Sequence, residues 1–305
     1  METIAPKLHQ IDTRLGGWEH LTAGFLVEGP QPALVETGAR TSADTVRQAL
    51  AEVGIGPGDL RWLVVTHIHL DHAGGVGDLA AAFPAATVVV HERGARHLVD
   101  PTRLIDSAAR VYGDLLDGLY GRMLPVPPER VVAAADGHRV DLGDGRALVM
   151  VDSPGHAKHH HAVLDEHTGT LLVGDAVGVR IPEAGDLRPA VPPPDFDLEQ
   201  AVQSLHRFAA LRPQKVVLTH YGPVADPLAE LEEAEAVLHR WVAVAERVLA
   251  ADAGAGVDEI AAALRAEVGP TLDLPEDVRR RIETLNGVHS NAAGIHRYLT
   301  RAVAA

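Results

Sequence analysis

The densest concentration of metal-binding side chains lies at residues 66–72, which read Thr-His-Ile-His-Leu-Asp-His. Residues 61–66, just before the histidines, are mostly apolar and β-branched, which indicates a short buried strand. Alternate residues of an extended chain share a face, so His67 and His69 can point at one ion while Asp71 and His72 turn toward a second. The segment therefore predicts a metal site where a strand ends, a common place for ligand sites in α/β proteins.

The composition narrows both the partners and the ligand chemistry. The chain has 305 residues, of which 46% are hydrophobic, enough for one large domain with or without an appendage. A net charge of −15, from 42 acidic and 27 basic residues, argues against a nucleic-acid surface, which needs a basic stripe. Because the chain has no cysteine, any metal must be held by histidine and carboxylate.

The beginning of the sequence has neither a basic start nor an apolar core, so we expect no secretory signal. No apolar run approaches the ~18 residues that a membrane span needs. These features predict a cytoplasmic protein with a small-molecule substrate and no membrane partner.

The pattern along the chain predicts a mixed α/β (α+β) fold. Strand-like runs alternate with helical stretches up to about residue 225, which fits sheets covered by helices. Strands are predicted at 24–28, 33–36, 63–66, 87–90, 147–152, 161–164, 171–174 and 215–219, and helices at 43–54, 72–82, 91–98, 104–121 and 198–210. After Pro227 the helical periodicity covers 227–251, 256–267 and 275–301. We therefore predict a domain at 1–225 and a helical extension at 226–305, which could build a substrate pocket, a homodimer interface or both.

Three more candidate ligands each follow directly after a strand-like run. They are His156 in Ser-Pro-Gly-His, Asp175 in Val-Gly-Asp and His220 in Val-Leu-Thr-His. Residues at several strand ends can converge only if the strands lie side by side in sheets that share one edge. The sequence therefore predicts that all seven ligand-type residues belong to one site.

In this order and spacing, the motifs His-x-His-x-Asp-His, Pro-Gly-His, Gly-Asp and Thr-His resemble those of the metallo-β-lactamase fold superfamily, over about residues 10–225. The resemblance implies a four-layer αββα sandwich with a dinuclear site along one edge of its two sheets. It also implies which residues hold each metal: His67, His69 and His156 the first, Asp71, His72 and His220 the second, with Asp175 bridging both.

Departures from the family pattern narrow the choice of branch within the superfamily. The chain has Asp175 and no cysteine ligand, so it is more similar to the glyoxalase II, lactonase and phosphodiesterase branches than to the β-lactamases. Gly178 stands where lactonases commonly place a tyrosine, which makes the lactonase branch less favoured. The negative charge disfavours the tRNA-processing branch. Glu36 stands where the family usually has aspartate, and we expect it, like Asp152, to support a ligating imidazole.

A dinuclear site of this kind implies a hydrolase. A bridging hydroxide formed between two divalent ions would attack a small ester, thioester, lactone or phosphoester. Asp71 is the candidate catalytic residue, because it would orient the water and collect its proton. With oxygen and nitrogen ligands zinc fits best, while iron and manganese are chemically acceptable.

Two other functions compete with hydrolysis. Persulfide dioxygenases of this superfamily hold one ferrous ion on residues that match His67, His156 and Asp175, and they act as oxidoreductases. A non-catalytic metal-binding scaffold or sensor is the third possibility. The flavo-diiron relatives fit poorly, because they use a glutamate where this chain has His69.

The sequence leaves several segments open. His160 could support a ligand or face the substrate, and His159 could support a ligand or face solvent. Residues 106–124, with Tyr112, Tyr120 and Met123, could be a helix that covers a sheet edge or a lid over the pocket. The same question applies to the segments 192–196 and 286–291.

Overall fold

The computed structural model describes residues 1–267 and 274–303, which fall into two compact units. The first unit contains Met1–Asp152, His159–Gly174 and Gln214–Pro223. The second contains Ser153–Lys158, Asp175–Pro213 and the described part of the chain from Val224 onward. The domain boundary predicted near residue 225 stays a prediction.

The first unit is built on two β-sheets. The seven-stranded sheet runs, in spatial order, through β1 (Glu2–Ala5), β2 (Leu8–Asp12), β3 (Ala23–Val27), β4 (Ala33–Val35), β5 (Trp62–Val64), β6 (Thr87–His91) and β7 (Val131–Ala134). The six-stranded sheet has the order β13-β12-β11-β10-β9-β8, formed by β8 (Arg139–Gly143), β9 (Arg146–Asp152), β10 (His161–Asp165), β11 (Thr170–Leu172), β12 (Lys215–Leu218) and β13 (Gly222–Pro223).

Buried aliphatic side chains from both sheets form one core. Val64 and Val89 of the seven-stranded sheet belong to the same buried cluster as Met150 and Val163 of the six-stranded sheet. All four side chains are removed from solvent, so their burial is a main source of the unit's stability. The core therefore lies where the inner faces of the two sheets meet.

Parallel pairing in the seven-stranded sheet explains where the histidine-rich segment lies. β4, β5, β6 and β7 pair in parallel, and parallel strands need long crossover connections, which here contain helices. These are α1 (Ala43–Glu52), α2 (Leu70–Ala73), α3 (Val76–Ala82), α4 (Ala95–Val99) and α5 (Thr102–Tyr112). The histidine-rich segment is the turn from central strand β5 into α2, as the sequence predicts.

The second unit is helical in its longest segments. Its helices are α6 (Leu198–Leu211), α7 (Pro227–Ala251), α8 (Val257–Glu267), α9 (Glu276–Asn286) and α10 (Val288–Val303). Asp197 caps the N-terminus of α6, and its side chain accepts a hydrogen bond from the Gln200 backbone N–H at 3.0 Å. The single helix predicted over 275–301 is wrong at Gly287, where extended backbone separates α9 from α10. Throughout residues 1–267 and 274–303, we find no helix with both the length and the apolar character that crossing a membrane requires.

Candidate metal centre

The turn after β5 changes from extended to helical backbone between His69 and Asp71. His69 has extended backbone, with φ −62° and ψ 152°, and Asp71 lies in the first turn of α2. The His69 carbonyl accepts hydrogen bonds from the backbone N–H groups of His72 and Ala73, at 3.1 and 2.9 Å. This is the corner that the sequence predicts between the pair His67 and His69 and the pair Asp71 and His72.

Asp71, His72 and His220 form a compact group within the first unit. The Nε2 atoms of His72 and His220 are 3.2 Å apart, and they lie 3.7 and 3.6 Å from Asp71 Oδ2. Two ligands bound to one tetrahedral ion at about 2.0–2.1 Å lie roughly 3.3 Å from each other. The three atoms therefore have the spacing of a set that shares one small divalent ion.

His67 and His69 form a second pair in the same unit. Their ligand atoms lie within 4.8 Å of one another, and their ring centroids are 4.5 Å apart. His67 is fully buried, whereas His69 keeps partial exposure. The turn thus places one imidazole below the surface and one at it.

His156 and Asp175 meet within the second unit. His156 Nε2 lies 3.5 Å from Asp175 Oδ2, close to the separation of two ligands on one ion. Gly155 has φ +131°, and a Cβ on it would lie 2.4 Å from the backbone of Ala201 in α6. Ser204, on the same helix, donates from its hydroxyl to the Pro154 carbonyl at 2.7 Å. The glycine of the Pro-Gly-His motif therefore allows this turn to pack against α6.

Glu36 links the candidate ligands of the first unit through hydrogen bonds. Its buried Oε1 accepts hydrogen bonds from His72 Nδ1 at 3.0 Å and from the hydroxyls of Thr66 and Thr219 at 2.6 and 3.3 Å. Thr66 Oγ1 in turn accepts from His67 Nδ1 at 2.9 Å. Glu36 has φ +65°, a strained conformation for a side chain of this size, and such strain concentrates at functional sites. Glu36 thus accepts from a candidate ligand, His72, and the metal-binding role of that histidine stays a prediction.

Four candidate imidazoles share one hydrogen-bonding pattern. Backbone carbonyls accept from Nδ1 of His156 (Ala190 oxygen, 2.7 Å) and from Nδ1 of His220 (Leu21 oxygen, 2.7 Å). A carbonyl can only accept, so Nδ1 carries the proton in both rings. His72 and His67 use Nδ1 in the same way, toward Glu36 and Thr66. Each ring therefore keeps Nε2 for a metal, the arrangement expected of ligating histidines. These residues fit divalent ions bound by nitrogen and oxygen.

The other histidines of interest lie in the first unit, next to or below these rings. His160 is fully buried with its ring centroid 5.0 Å from that of His67, so it packs under a candidate ligand. His159 is partly exposed and stacks parallel to His67 at 6.2 Å. Asp152 accepts from His91 Nε2 at 2.8 Å, so this carboxylate supports a histidine outside the predicted ligand set.

The burial of His161 makes the free energy of unfolding sensitive to acid. Burial, followed by the nearby His91, lowers its pKa from 6.5 to about 3. The unfolded chain takes up a proton near pH 6.5 and the folded chain does not, so stability falls as the pH drops from 6.5 toward 3. The slope is about 1.4 kcal/mol per pH unit. We expect His161→Gln to reduce the loss between pH 6.5 and 4.5, measured by urea unfolding of the metal-free protein. Equal losses in variant and wild type would contradict this; His206→Gln, at an exposed histidine, is the control.

Residues 106–124 belong to the first unit, and the second half of this segment is packed into it. After α5 a short π-helical turn (Leu116–Tyr120) buries Leu119 and Tyr120, and Met123 is also buried. Thr41 donates from its hydroxyl to the Leu119 carbonyl at 2.6 Å. Buried side chains and an anchored backbone favour the covering helix over a free lid for the second half of this segment.

Comparison with known proteins places the chain in a family. The model of the metallo-beta-lactamase superfamily matches residues 17–220, which is more than half of the chain. The protein belongs to this superfamily. It has the superfamily's mixed α/β fold, as predicted, and carries histidine and aspartate groups able to bind divalent metal.

Individual relatives differ in their named functions. The metallo-beta-lactamase fold-containing protein ST1585 of Sulfurisphaera tokodaii is 30% identical over 174 residues, which span 56% of this chain and 64% of that protein. YqjP of Bacillus subtilis, named as a metallo-hydrolase, is 26% identical over 233 residues, 68% of this chain and 70% of YqjP. A protein of Thermosynechococcus vestitus named as a diflavin flavoprotein is 27% identical over 213 residues, 66% of this chain and 33% of that protein.

A solved structure supports the same fold over nearly the whole chain. The crystal structure of ST1585 from Sulfolobus tokodaii superposes with a TM-score of 0.71 at 23% identity and covers 94% of this chain and 97% of that one. Identity at this level shows the fold alone.

Proposed function

We propose that this protein is a dinuclear metal-dependent hydrolase that acts on a small ester, thioester, lactone or phosphoester. The observation that carries the proposal is the triangle of Asp71, His72 and His220, with edges of 3.2, 3.6 and 3.7 Å. Both of its imidazoles are held through Nδ1, so their Nε2 atoms are directed by the protein before any metal binds. Such preorganisation is typical of a working metal centre.

The proposed ligand sets use all seven predicted residues. The first metal would be held by His67, His69 and His156, the second by Asp71, His72 and His220, and both by Asp175. The uniform use of Nδ1 for support and the 3.5 Å contact between His156 and Asp175 favour this assignment. Ligands that are all nitrogen or oxygen make zinc the proposed metal.

Within this arrangement Asp71 has the catalytic role. Bound divalent ions supply an activated water at neutral pH and polarise the carbonyl or phosphoryl group that it attacks. The Asp71 side chain is 14% exposed, while that of His72 is fully buried, so Asp71 lies on the side from which a substrate can approach. We assign Asp71 the orientation of the water and the uptake of its proton on Oδ1, since Oδ2 faces the two imidazoles.

An oxidoreductase is the competing proposal. It is favoured by the relative named as a diflavin flavoprotein and by the match of His67, His156 and Asp175 to a persulfide dioxygenase centre. His69 argues against the flavo-diiron form, which has a glutamate there. The complete second group of Asp71, His72 and His220 favours two metals, which the mononuclear dioxygenase would not need.

Removal of metal should abolish hydrolysis. We expect a loss on the order of 10³-fold or more after exhaustive chelation, because a metal ion contributes several kcal/mol of transition-state stabilisation. Zinc or manganese added back should restore the rate on 4-nitrophenyl acetate, a thioester, a lactone or bis(4-nitrophenyl) phosphate, whichever is the substrate. The check is the rate together with the metal content of the same sample. Full activity at far less than one ion per chain would contradict the proposal.

A further inference from the structure

We propose that helices α9 and α10 position the metal ligand His156 through the segment at residues 189–196, with Asn286 and Asn291 as positioning residues. We call this segment the Ala190 loop. The inference rests on the proposed function only in treating His156 as a metal ligand. All of its contacts lie within the second unit.

His156 is hydrogen-bonded to the Ala190 loop. His156 Nδ1 donates to the Ala190 carbonyl at 2.7 Å, and both residues are more than nine-tenths buried. This bond selects the tautomer with the proton on Nδ1 and sets the ring direction, so Nε2 faces Asp175. Any shift of the Ala190 carbonyl would therefore turn the Nε2 atom of His156.

Two buried asparagines bind both chain neighbours of Ala190. Asn291 Oδ1 accepts from the Val191 backbone N–H at 2.8 Å, and Asn286 Nδ2 donates to the Pro189 carbonyl at 3.1 Å. The two side chains are joined by a hydrogen bond from Asn291 Nδ2 to Asn286 Oδ1. The fixed donor at Val191 and the fixed acceptor at Pro189 settle both amide orientations. A continuous chain of bonds thus runs across Ala190 from one side to the other.

The backbone of α10 also makes a close contact with the same loop. A Cβ on Gly294 would lie 1.8 Å from the Val191 carbonyl oxygen, so only glycine allows this approach. Farther along the helix, Arg297 Nε donates to the Pro194 carbonyl at 3.3 Å, and Arg301 donates to the Phe196 carbonyl at 3.1 Å. α10 therefore follows the loop from Val191 to Phe196.

The chemistry of these contacts points to positioning rather than packing alone. If packing were the only role, apolar side chains could fill the same space without the desolvation cost of a buried amide that loses its partners. A fully bonded amide pair instead allows only one register of the loop against the helices. The loop backbone is restricted by the prolines at 189, 192, 193 and 194. The asparagines fix Pro189 and Val191, so they also fix the carbonyl of Ala190 between them.

The test replaces Asn291 with leucine, which is similar in volume and removes both of its hydrogen bonds. In the metal-free full-length protein, ¹⁵N NMR of histidine should show that His156 changes from a single Nδ1–H tautomer to a mixture. The signal can be assigned by its absence in His156→Gln. Zinc affinity, measured by competition with a chromophoric chelator, should fall by about 10–100-fold. If Asn291→Leu does not fold, Asn286→Ala breaks the same chain of bonds at the Pro189 carbonyl.

Ile295→Ala is the matched control, because Ile295 is a fully buried residue of the same helix that has no part in the asparagine chain. It should lower thermal stability yet keep the wild-type tautomer and bind zinc within about threefold of wild type. A wild-type tautomer and affinity in Asn291→Leu would overturn the inference, as would equal changes in Ile295→Ala. If the wild type binds no zinc, the proposed function fails, and the tautomer of the metal-free variants still decides the positioning role.

Discussion

Asp71→Asn is expected to lower kcat on the ester or phosphodiester substrate by about 10²–10⁴-fold, the usual range for loss of a general acid–base group. Asparagine keeps the size of the side chain and an oxygen that can face His72 and His220, but it cannot take up a proton. The loss should therefore fall mainly on kcat, with KM changed far less. Steady-state kinetics with saturating zinc separate this effect from a loss of metal.

The control for this variant is Asp44→Asn, which makes the same chemical change at an exposed aspartate paired with Arg47 on α1. It should leave both kinetic constants near their wild-type values. Metal content has to be measured on each sample, because Asp71 also belongs to the second proposed ligand set. Wild-type kcat in a fully loaded Asp71→Asn protein would remove Asp71 from the mechanism.

Glu36→Gln is expected to weaken zinc binding by about 10–100-fold, the usual cost of altering the group that orients a ligating histidine. His72 Nδ1 and the Thr66 hydroxyl donate to Oε1, and the Thr66 backbone N–H donates to Oε2, so the NH₂ group of a glutamine meets a donor at either position. At least one buried donor then loses its acceptor, which should also lower the free energy of unfolding by about 1–3 kcal/mol. Chelator competition and urea unfolding measure the two effects.

Glu36→Asp provides the matching rescue. It restores a carboxylate, and aspartate adopts the left-handed backbone found at this position more readily than most residues. We expect its zinc affinity to lie within a few-fold of wild type. Equal affinities in Glu36→Gln and wild type would show that the hydrogen bonds to Glu36 do not orient the metal ligands.

Most buried strands could be predicted from sequence, whereas several strands near the sheet edges could not. β5 and β6 are short runs of apolar, β-branched residues that are buried on both faces, and such runs stand out in any reading. β8 alternates exposed and buried residues because one of its faces is exposed, and β1 is exposed over its first two residues. These strands have too few apolar residues within four or five positions to be identified from sequence. Their positions at the sheet edges depend on pairing with distant segments.

The candidate site shows the same division. Ligand-type residues directly after strands, and Glu36 in the early motif, could be predicted because histidine and carboxylate are rare enough there to carry information. The carbonyls of Ala190 and Leu21, which hold His156 and His220, could not, because every residue has a carbonyl and none marks its position in the sequence. The sequence assigns no role to Asn286 and Asn291, and only the folded loop shows what they bind.

The most direct test is metal counting on the purified full-length protein, together with oxygen uptake in the presence of glutathione persulfide. A dinuclear hydrolase should bind about two zinc ions per chain, about one in His220→Ala, and consume no oxygen. One iron ion per chain with persulfide-dependent oxygen uptake would contradict the assignment and favour the oxidoreductase.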